Sequence, residues 1–440
     1  MDHRKDRATL DFVSLPILLP NELFDGFYHV APAHFGHMCR GGLRNLWDQV
    51  HDRDPRHYQH PMLEIPSWQD SCVPLSLFGD GVAYTKGGHN LHCLCWSSLL
   101  TRGWSWKSCY LLAVMPKLSC ATIARHEIDT MHEVWRYIAH GFTALALGKH
   151  PSTDPFGHPW PDGSYQSHLA GRVIADGKYR GTVWTIACDQ DYAANAYGAK
   201  HFNSLTPCHH CDATRDDDSP TNVRNFALSA GWRDTFRSPA DKGVSCHPIW
   251  SIDGIGAHMY MFDWMHCWDL GVLPELYGST LHDILDVTGP FRRHRRFERR
   301  LELLWVELQK HYQAVDAHKR LANLTAGMVG QSSEVFPALH CKANEARHLL
   351  KPMLSIVKEF FDGTTHVQHI LRAYELADEI QDIVVQTPGF FFDRPTSRKL
   401  YDLTNEFVLQ YNMLTHSSIE RQNLRYNPIS KIHTIIHIAF

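Results

Sequence analysis

Cysteine and long hydrophobic runs are both scarce in this chain of 440 residues. Its 12 Cys are too dilute for the disulfide scaffold that stabilises small secreted domains, which favours a reducing compartment. The longest apolar run, residues 110–115, is far shorter than the roughly 20 residues that cross a bilayer, and residues 1–7 are too charged to open a secretory signal. We therefore expect a soluble, intracellular protein without a membrane partner.

The chain also has little net charge. A formal charge of −4 provides no overall attraction to nucleic acid, so any DNA contact must come from a local basic patch. The apolar content of 44% and the 13 Trp indicate a packed globular protein rather than a disordered one. A chain of this length is expected to form two or three domains.

Two cysteines and two histidines stand at spacings typical of zinc ligands. Cys208 and Cys211 form a C-x2-C pair, and His433 and His437 form an H-x3-H pair. Two thiolates and two imidazoles suit a tetrahedral zinc ion. A small zinc finger separates its pairs by about 12 to 15 residues, whereas Cys211 and His433 are 222 positions apart. A shared site would therefore tie remote parts of one fold together. A redox role for the C-x2-C pair would need a thioredoxin-like strand and helix, which the surrounding sequence lacks.

The stretch before the cysteines predicts a sheet. Three apolar runs with short connections predict an antiparallel meander, and a helical pattern followed by a fourth apolar run predicts a helix and another strand. In chain order, these are residues 73–81, 91–96, 109–115, 121–147 and 181–188.

An aspartate is expected to close the first and the fourth of these strands. Asp80 lies in Gly79-Asp80-Gly81, which predicts a turn, and Asp189 follows the fourth strand. Carboxylates at the ends of neighbouring strands suit Mg²⁺, and a pair of such ions supports phosphodiester chemistry. Taken singly, each Asp is more typical of a solvated turn in which it bonds its own backbone.

Further along, Asp263-Trp264-Met265-His266 has the spacing for a carboxylate that orients an imidazole. A buried His satisfied by an Asp, without any metal, fits the same residues. From residue 291 onward long helical patterns dominate. They begin in the basic run 291–300, which suits phosphate contacts or a weak nuclear signal but is more typical of a solvated helix start.

These pieces together resemble the catalytic region of cut-and-paste DNA transposases. The similarity is to the CACTA (En/Spm) type and, more distantly, to the Transib group that includes the catalytic subunit of the V(D)J recombinase. It covers roughly residues 70 to 440. The matching pieces are Gly79-Asp80-Gly81, Cys188-Asp189-Gln190-Asp191, Cys208 to Arg215 (Cys-His-His-Cys-Asp-Ala-Thr-Arg), and Asp263 to His266. No piece is specific alone, but their order and spacing together are.

The resemblance implies an α/β fold with a mixed sheet, an RNase H-like core, that is interrupted by an all-helical insertion. It implies structural zinc on Cys208, Cys211, His433 and His437, and catalytic Mg²⁺ or Mn²⁺ on Asp80 and Asp189. His266 would support the catalytic residues. The implied activity is DNA cleavage and strand transfer by two-metal phosphodiester chemistry. The implied partners are transposon ends and target DNA. The resemblance also implies a homo-oligomer and a nuclear location.

The resemblance also implies a third catalytic carboxylate, a Glu about twenty residues after the His pair. That position lies beyond Phe440, so we expect a truncated or decayed copy. Glu420 is acidic and nearby, but it precedes His433 and is the weaker candidate. The expected organisation is an irregular N-terminal segment at 1–70, the first part of the core at 71–290, the helical insertion at 291–415, and the start of the last core segment at 416–440.

Two other functions fit the same pattern. A catalytically inactive, domesticated or decayed protein would keep the zinc-stabilised fold for DNA binding or a structural role, which the missing third carboxylate favours. If it is inactive, the expected location is cytoplasmic instead of nuclear. A nuclease that never transposes is the other, because a fold does not fix its function.

Overall fold

The computed structural model describes residues 14–39, 42–86, 88–101, 105–123, 128–238, 241, 246–287, 289–315, 317–330, 335–361 and 363–439. The chain divides into two compact units. Unit 1 contains the chain up to Cys188, with Tyr192–Ala199 and the segment that ends at Met261. Unit 2 contains Asp189–Asp191, Lys200–Ser238 and the chain from Phe262 onward.

A five-stranded mixed sheet is the main element of unit 1, and its strand order is β3-β2-β1-β6-β7. Strand β1 pairs antiparallel with β2, β2 pairs antiparallel with β3, and β1 pairs parallel with β6. The predicted meander and fourth strand are confirmed. The strands are β1 Cys72–Ala83, β2 Asn90–Ser98, β3 Tyr110–Pro116, β4 Thr122–Ile123, β5 Ile128–Asp129, β6 Arg180–Cys188 and β7 Tyr260–Phe262.

Two details of this region differ from the predictions. The predicted helix at 121–147 begins only at Thr130, because β4 and β5 form a small hairpin before it and the Asp129 side chain caps it by accepting from the His132 N–H at 3.0 Å. The predicted turn at Asp80 is also wrong. Strand β1 continues through Asp80, which pairs with Cys93 of β2, because the hairpin partner extends the ladder past the two glycines.

Helices occupy much of the segment before β1, where the sequence pattern is irregular. Pro20 and Pro32 each stand at the start of a helix, where the missing N–H of proline costs no hydrogen bond and its fixed φ suits the helix. These prolines therefore start helices rather than interrupt them. The helices up to β7 are α1 Pro20–Val30, α2 Pro32–Met38, α3 Leu43–Arg53, α4 Trp68–Ser71, α5 Ser105–Ser108, α6 Thr130–Leu147, α7 Tyr165–Leu169 and α8 Gln190–Ala196.

Unit 2 is mainly helical from Met265 onward. A π-helix at Met265–Val272 runs directly into α9, and α14 packs along α15. The predicted helical patterns after residue 291 correspond to helices, and their apolar faces form one buried core. The helices are α9 Leu273–Val287, α10 Gly289–Arg292, α11 Phe297–Ala314, α12 Ala326–Val329, α13 Ala343–Phe360, α14 Thr365–Gln386, α15 Arg394–Glu420 and α16 Ser430–Ala439.

The predicted α/β fold class with a mixed sheet is confirmed at this level. None of the described helices combines the length and the apolar character needed to cross a bilayer.

Candidate metal centre and adjoining acidic cavity

The four predicted zinc ligands converge in unit 2. Cys208 and Cys211 lie in a loop, and His433 and His437 lie one turn apart on α16, so that both imidazoles face the same side. The four ligand atoms lie within 4.8 Å of one another. In the part of the chain that the structure describes, no other group of three or more His, Cys, Asp or Glu side chains meets this condition. The spacing of the two pairs therefore predicted a cluster whose members lie far apart in the sequence.

The distances in this cluster suit a tetrahedral zinc ion. Cys208 Sγ is 3.4 Å from His437 Nε2, and Cys211 Sγ is 3.4 Å from His433 Nε2. The two Nε2 atoms are 3.0 Å apart. Ordinary Zn–S and Zn–N bonds in a tetrahedron place S and N roughly 3.6 Å apart and two N atoms roughly 3.3 Å apart. The donor set and its geometry thus fit a zinc ion with four protein ligands.

Backbone contacts hold the cysteine loop in place. The Arg237 N–H donates to the His210 carbonyl at 2.9 Å, and the Asp212 N–H donates to Thr235 Oγ1 at 3.0 Å. The His210 N–H points at Cys208 Sγ from 3.4 Å, which stabilises a thiolate. The loop is therefore held in position by the segment at residues 235–237 of the same chain.

Aromatic rings pack against both histidines of the cluster, three of whose four ligands are buried. Trp232 packs edge-on against His433, with ring centroids 4.3 Å apart, and Phe236 packs on His437 at 5.0 Å. Cys208, Cys211 and His433 are 4%, 0% and 2% exposed. A buried site with four closed ligands is typical of structural zinc rather than catalytic zinc.

The protonation of the cluster also suits metal binding. Burial opposes ionisation of Cys208, but the hydrogen bond from Cys211 and the nearby imidazoles outweigh it, so the pKa of Cys208 lies well below that of an ordinary thiol. The hydrogen bond to Cys208 and then burial raise the pKa of Cys211. Burial lowers the pKa of His433. Zinc binds sulfur as the thiolate and imidazole as the neutral ring, so metal binding to this cluster would release protons.

A cavity of about 340 Å³ lies beside the cluster, within unit 2. It shares Gln190, Phe202 and Ser430 with a smaller crevice that Cys208 and His433 line. Its polar lining includes three aspartates, one histidine and one lysine, and we name it the acidic cavity after the aspartates. The lining residues are Asp189, Gln190, Asp191, Phe202, Asp263, His266, Cys267, Ser430 and Lys431.

Asp263 and His266 form the predicted carboxylate–imidazole pair in this cavity. His266 Nδ1 is 2.8 Å from Asp263 Oδ2, and the Met265 N–H donates to Asp263 Oδ1 at 2.8 Å. The hydrogen bond to Asp263 raises the pKa of His266, and the charge of Asp189 adds to the effect. Burial raises the pKa of Asp263, but its hydrogen bonds with His266 and Met265 outweigh that effect and lower it. The pair therefore favours a charged, oriented imidazolium facing the cavity.

Lys431 is the cavity residue that sequence reasoning missed. Its Nζ donates to the Leu270 carbonyl at 3.2 Å, and burial lowers its pKa despite the opposing influence of Cys267 and Asp189. A Cβ at Gly271 would lie 2.4 Å from Lys431 Cδ, so the glycine leaves room for this side chain. Its position two residues before His433 on the same helix is the sequence signal that points to it.

The two predicted magnesium ligands lie in different units. Asp189 directly follows β6 and lines the cavity of unit 2. Asp80 is half-buried within β1 of unit 1. The last pair of the parallel β1–β6 ladder joins Phe78 to Ala187, and Asp80 and Asp189 each stand two residues further along the chain. Glu420 is exposed at the end of α15 and does not line the described cavity.

Comparison of the chain with known protein families and with curated proteins finds no match.

Proposed function

We propose that the protein is a transposase-like enzyme that cleaves DNA and transfers strands by two-metal phosphodiester chemistry, on an RNase H-like core stabilised by zinc. The carrying observation is the acidic cavity, where Asp189 and the Asp263–His266 pair face the same space beside the Cys2His2 cluster. Three of the four sequence pieces that resemble transposases thus supply residues to one region of unit 2.

The order of elements in unit 1 supports the proposal. An antiparallel meander is followed by a helix and then by a strand parallel to the first, in the region of the chain that carries the resemblance. In this proposal Asp80, Asp189 and a third carboxylate would hold Mg²⁺ or Mn²⁺. The ions would supply an activated nucleophile and charge stabilisation at the leaving oxygen.

The chain's own residues would do the remaining work in the cavity. Asp263 orients the ring of His266 through its Nδ1 atom, and His266 lines the cavity, so a charged His266 would attract a backbone phosphate. Lys431 of α16 would add a second positive charge to the same cavity. The proposed partner is DNA, both transposon ends and target. We further propose that the protein forms a homo-oligomer and acts in the nucleus.

Nicking of supercoiled plasmid with Mg²⁺ or Mn²⁺, by the purified protein extended to include the implied third carboxylate, tests this proposal. Asp189→Asn is expected to abolish cation-dependent nicking, because it removes a carboxylate that faces the cavity. Asp52→Asn is the matched control, since Asp52 is an exposed aspartate of unit 1 outside the cavity. If Asp189→Asn keeps the cation-dependent nicking activity that Asp52→Asn shows, the assignment of Asp189 is refuted. Joining of labelled transposon ends to target DNA then separates a transposase from a plain nuclease.

The second candidate is a zinc-stabilised protein that binds DNA or organises a structure without cutting. It is favoured by one observation: in the described part of the chain, only the Cys2His2 group brings three or more ligand-type side chains within metal-binding distance. On this alternative, the protein carries one zinc per chain and shows no cation-dependent nicking. Asp189→Asn then leaves Mn²⁺ binding, followed by electron paramagnetic resonance, unchanged.

A further inference from the structure

We propose that unit 2 binds the phosphate backbone of duplex DNA through an arginine loop, residues 292–296. The loop comprises Arg292, which ends α10, and Arg293-His294-Arg295-Arg296, which connect α10 to α11. All five side chains are exposed. This inference relies on the proposed function only for the identity of the partner, and it concerns a surface that lies outside the acidic cavity.

The two ends of the arginine loop are anchored in the core. Phe291 is buried and packs edge-on against Phe360 with ring centroids 5.1 Å apart, and Phe297 stacks on His282 at 5.2 Å. The His294 N–H donates to the Phe291 carbonyl at 3.1 Å, which closes a turn. The loop backbone is therefore held at both ends while its charged side chains point outward.

The guanidinium groups of this loop are not neutralised by the protein. Among the described residues, no carboxylate lies within ion-pair distance of Arg292, Arg293, Arg295 or Arg296. The next two arginines are different, because Arg299 pairs with Glu302 at 2.8 Å and Arg300 pairs with Asp286 at 2.9 Å. Four unpaired like charges in five residues repel one another, and a polyanion relieves this repulsion.

The chemistry of the loop favours duplex DNA as that polyanion. Guanidinium groups bind phosphate oxygens in a bidentate manner, and phosphates recur about every 3.4 Å along each strand. Single strands are usually bound with bases stacked on exposed aromatic rings. The two aromatic residues here are committed to the core, since Phe291 is buried and Phe297 packs on His282. The loop is thus built to contact the backbone without reading bases.

The salt dependence of DNA binding tests the proposal. The full chain is titrated with a fluorescent duplex of arbitrary sequence at several salt concentrations, without divalent cations. The same titration is made with a variant in which Arg292, Arg293, Arg295 and Arg296 are all changed to Gln. Each phosphate contact adds about 0.9 to the slope of log K against log salt. The variant should lose up to about 3.6 of this slope and bind at least roughly tenfold more weakly at low salt. Replacing the same four residues with Lys should keep the slope.

A second variant removes the same charge elsewhere on unit 2. It changes four exposed cations that each pair with a carboxylate, Lys310, Lys358, Arg398 and Lys399, to Gln. Its salt slope should match that of the parent protein. The arginine loop assignment is overturned if the parent protein binds duplex and the loop variant shows the same salt slope. It is also overturned if, in a parallel measurement with phosphatidylserine vesicles, the loop variant loses binding to the vesicles but not to duplex. A parent protein that does not bind duplex at all would overturn the proposed function as well.

Discussion

Removal of one zinc ligand is the perturbation that tests the candidate metal centre most directly. His433→Ala deletes a buried imidazole whose Nε2 lies 3.4 Å from Cys211 Sγ and 3.0 Å from His437 Nε2. Three ligands remain, which bind zinc more weakly than a closed set of four. We expect the zinc content of the purified variant to fall below one per chain.

The size of the stability change follows from the span of the site. A zinc ion that bridges the two pairs closes a loop of 222 positions between Cys211 and His433. In the chain-entropy treatment of a cross-link, a loop of this length contributes about 5 kcal/mol to the free energy of unfolding. For a cooperative unit of the size of unit 2, this corresponds to a fall in Tm of roughly 10 °C. Chelation of zinc from the parent protein should give a fall of similar size.

Zinc content by elemental analysis and thermal unfolding by circular dichroism are the two measurements. His416→Ala is the control, because His416 is an exposed histidine of the same unit outside the cluster. It should keep both the zinc and the Tm of the parent protein. A His433→Ala protein with full zinc content and an unchanged Tm would show that no shared ion joins the loop to α16.

Three further predictions concern single side chains. Gly79→Ala should destabilise unit 1 by about 1–3 kcal/mol in denaturant unfolding, because its Cβ would lie 2.2 Å from a ring atom of the buried Tyr192. Gly81→Ala is the control and should cost much less, because a Cβ there would meet no atom within 4 Å. Asp263→Asn should lower the pKa of His266 toward its ordinary value of 6.5, as followed by NMR titration, because the hydrogen bond to the carboxylate is the main cause of the raised pKa; an unchanged titration would refute that cause. Burial raises the pKa of Glu275 to about 7, so the folded protein binds the extra proton and stability should fall by roughly 3 kcal/mol as the pH rises from about 4.5 to 7. Glu275→Gln should flatten this part of the stability profile, and an equally steep profile would contradict the assignment.

The sheet shows what local patterns reveal and what they miss. The apolar run at residues 91–96 predicted β2, and in the strand every second side chain is buried, as Leu94 and Trp96 are. Asp80 was misplaced in a turn because its pairing partner, Cys93, belongs to another strand. The need for Gly79 also comes from remote residues, since Tyr192 and Tyr197 occupy the space of its Cβ. Such contacts depend on the folded chain and leave no local signal.

The metal cluster was predictable for the opposite reason. Zinc ligands must be of particular residue types at particular spacings, so the C-x2-C and H-x3-H pairs identify Cys208 and His433 without knowledge of the fold. The cavity has no such rule. Lys431 faces it only because α16 packs on the π-helix at Met265–Val272, where Gly271 leaves room. That packing is a tertiary property, which the sequence pattern did not predict.

Helix α16 links the two halves of the candidate site. Its ten residues carry His433 and His437 toward the metal cluster, and Ser430 and Lys431 toward the acidic cavity. An ion that holds the two imidazoles therefore also fixes the position of the lysine, because a helix turn is a rigid connection. A structural zinc would then be needed for chemistry that it does not perform. If the proposed cleavage occurs, zinc chelation should abolish it even when Mg²⁺ is saturating, and readdition of zinc should restore it. Cleavage that survives complete loss of zinc would show that the cavity keeps its shape without the cluster.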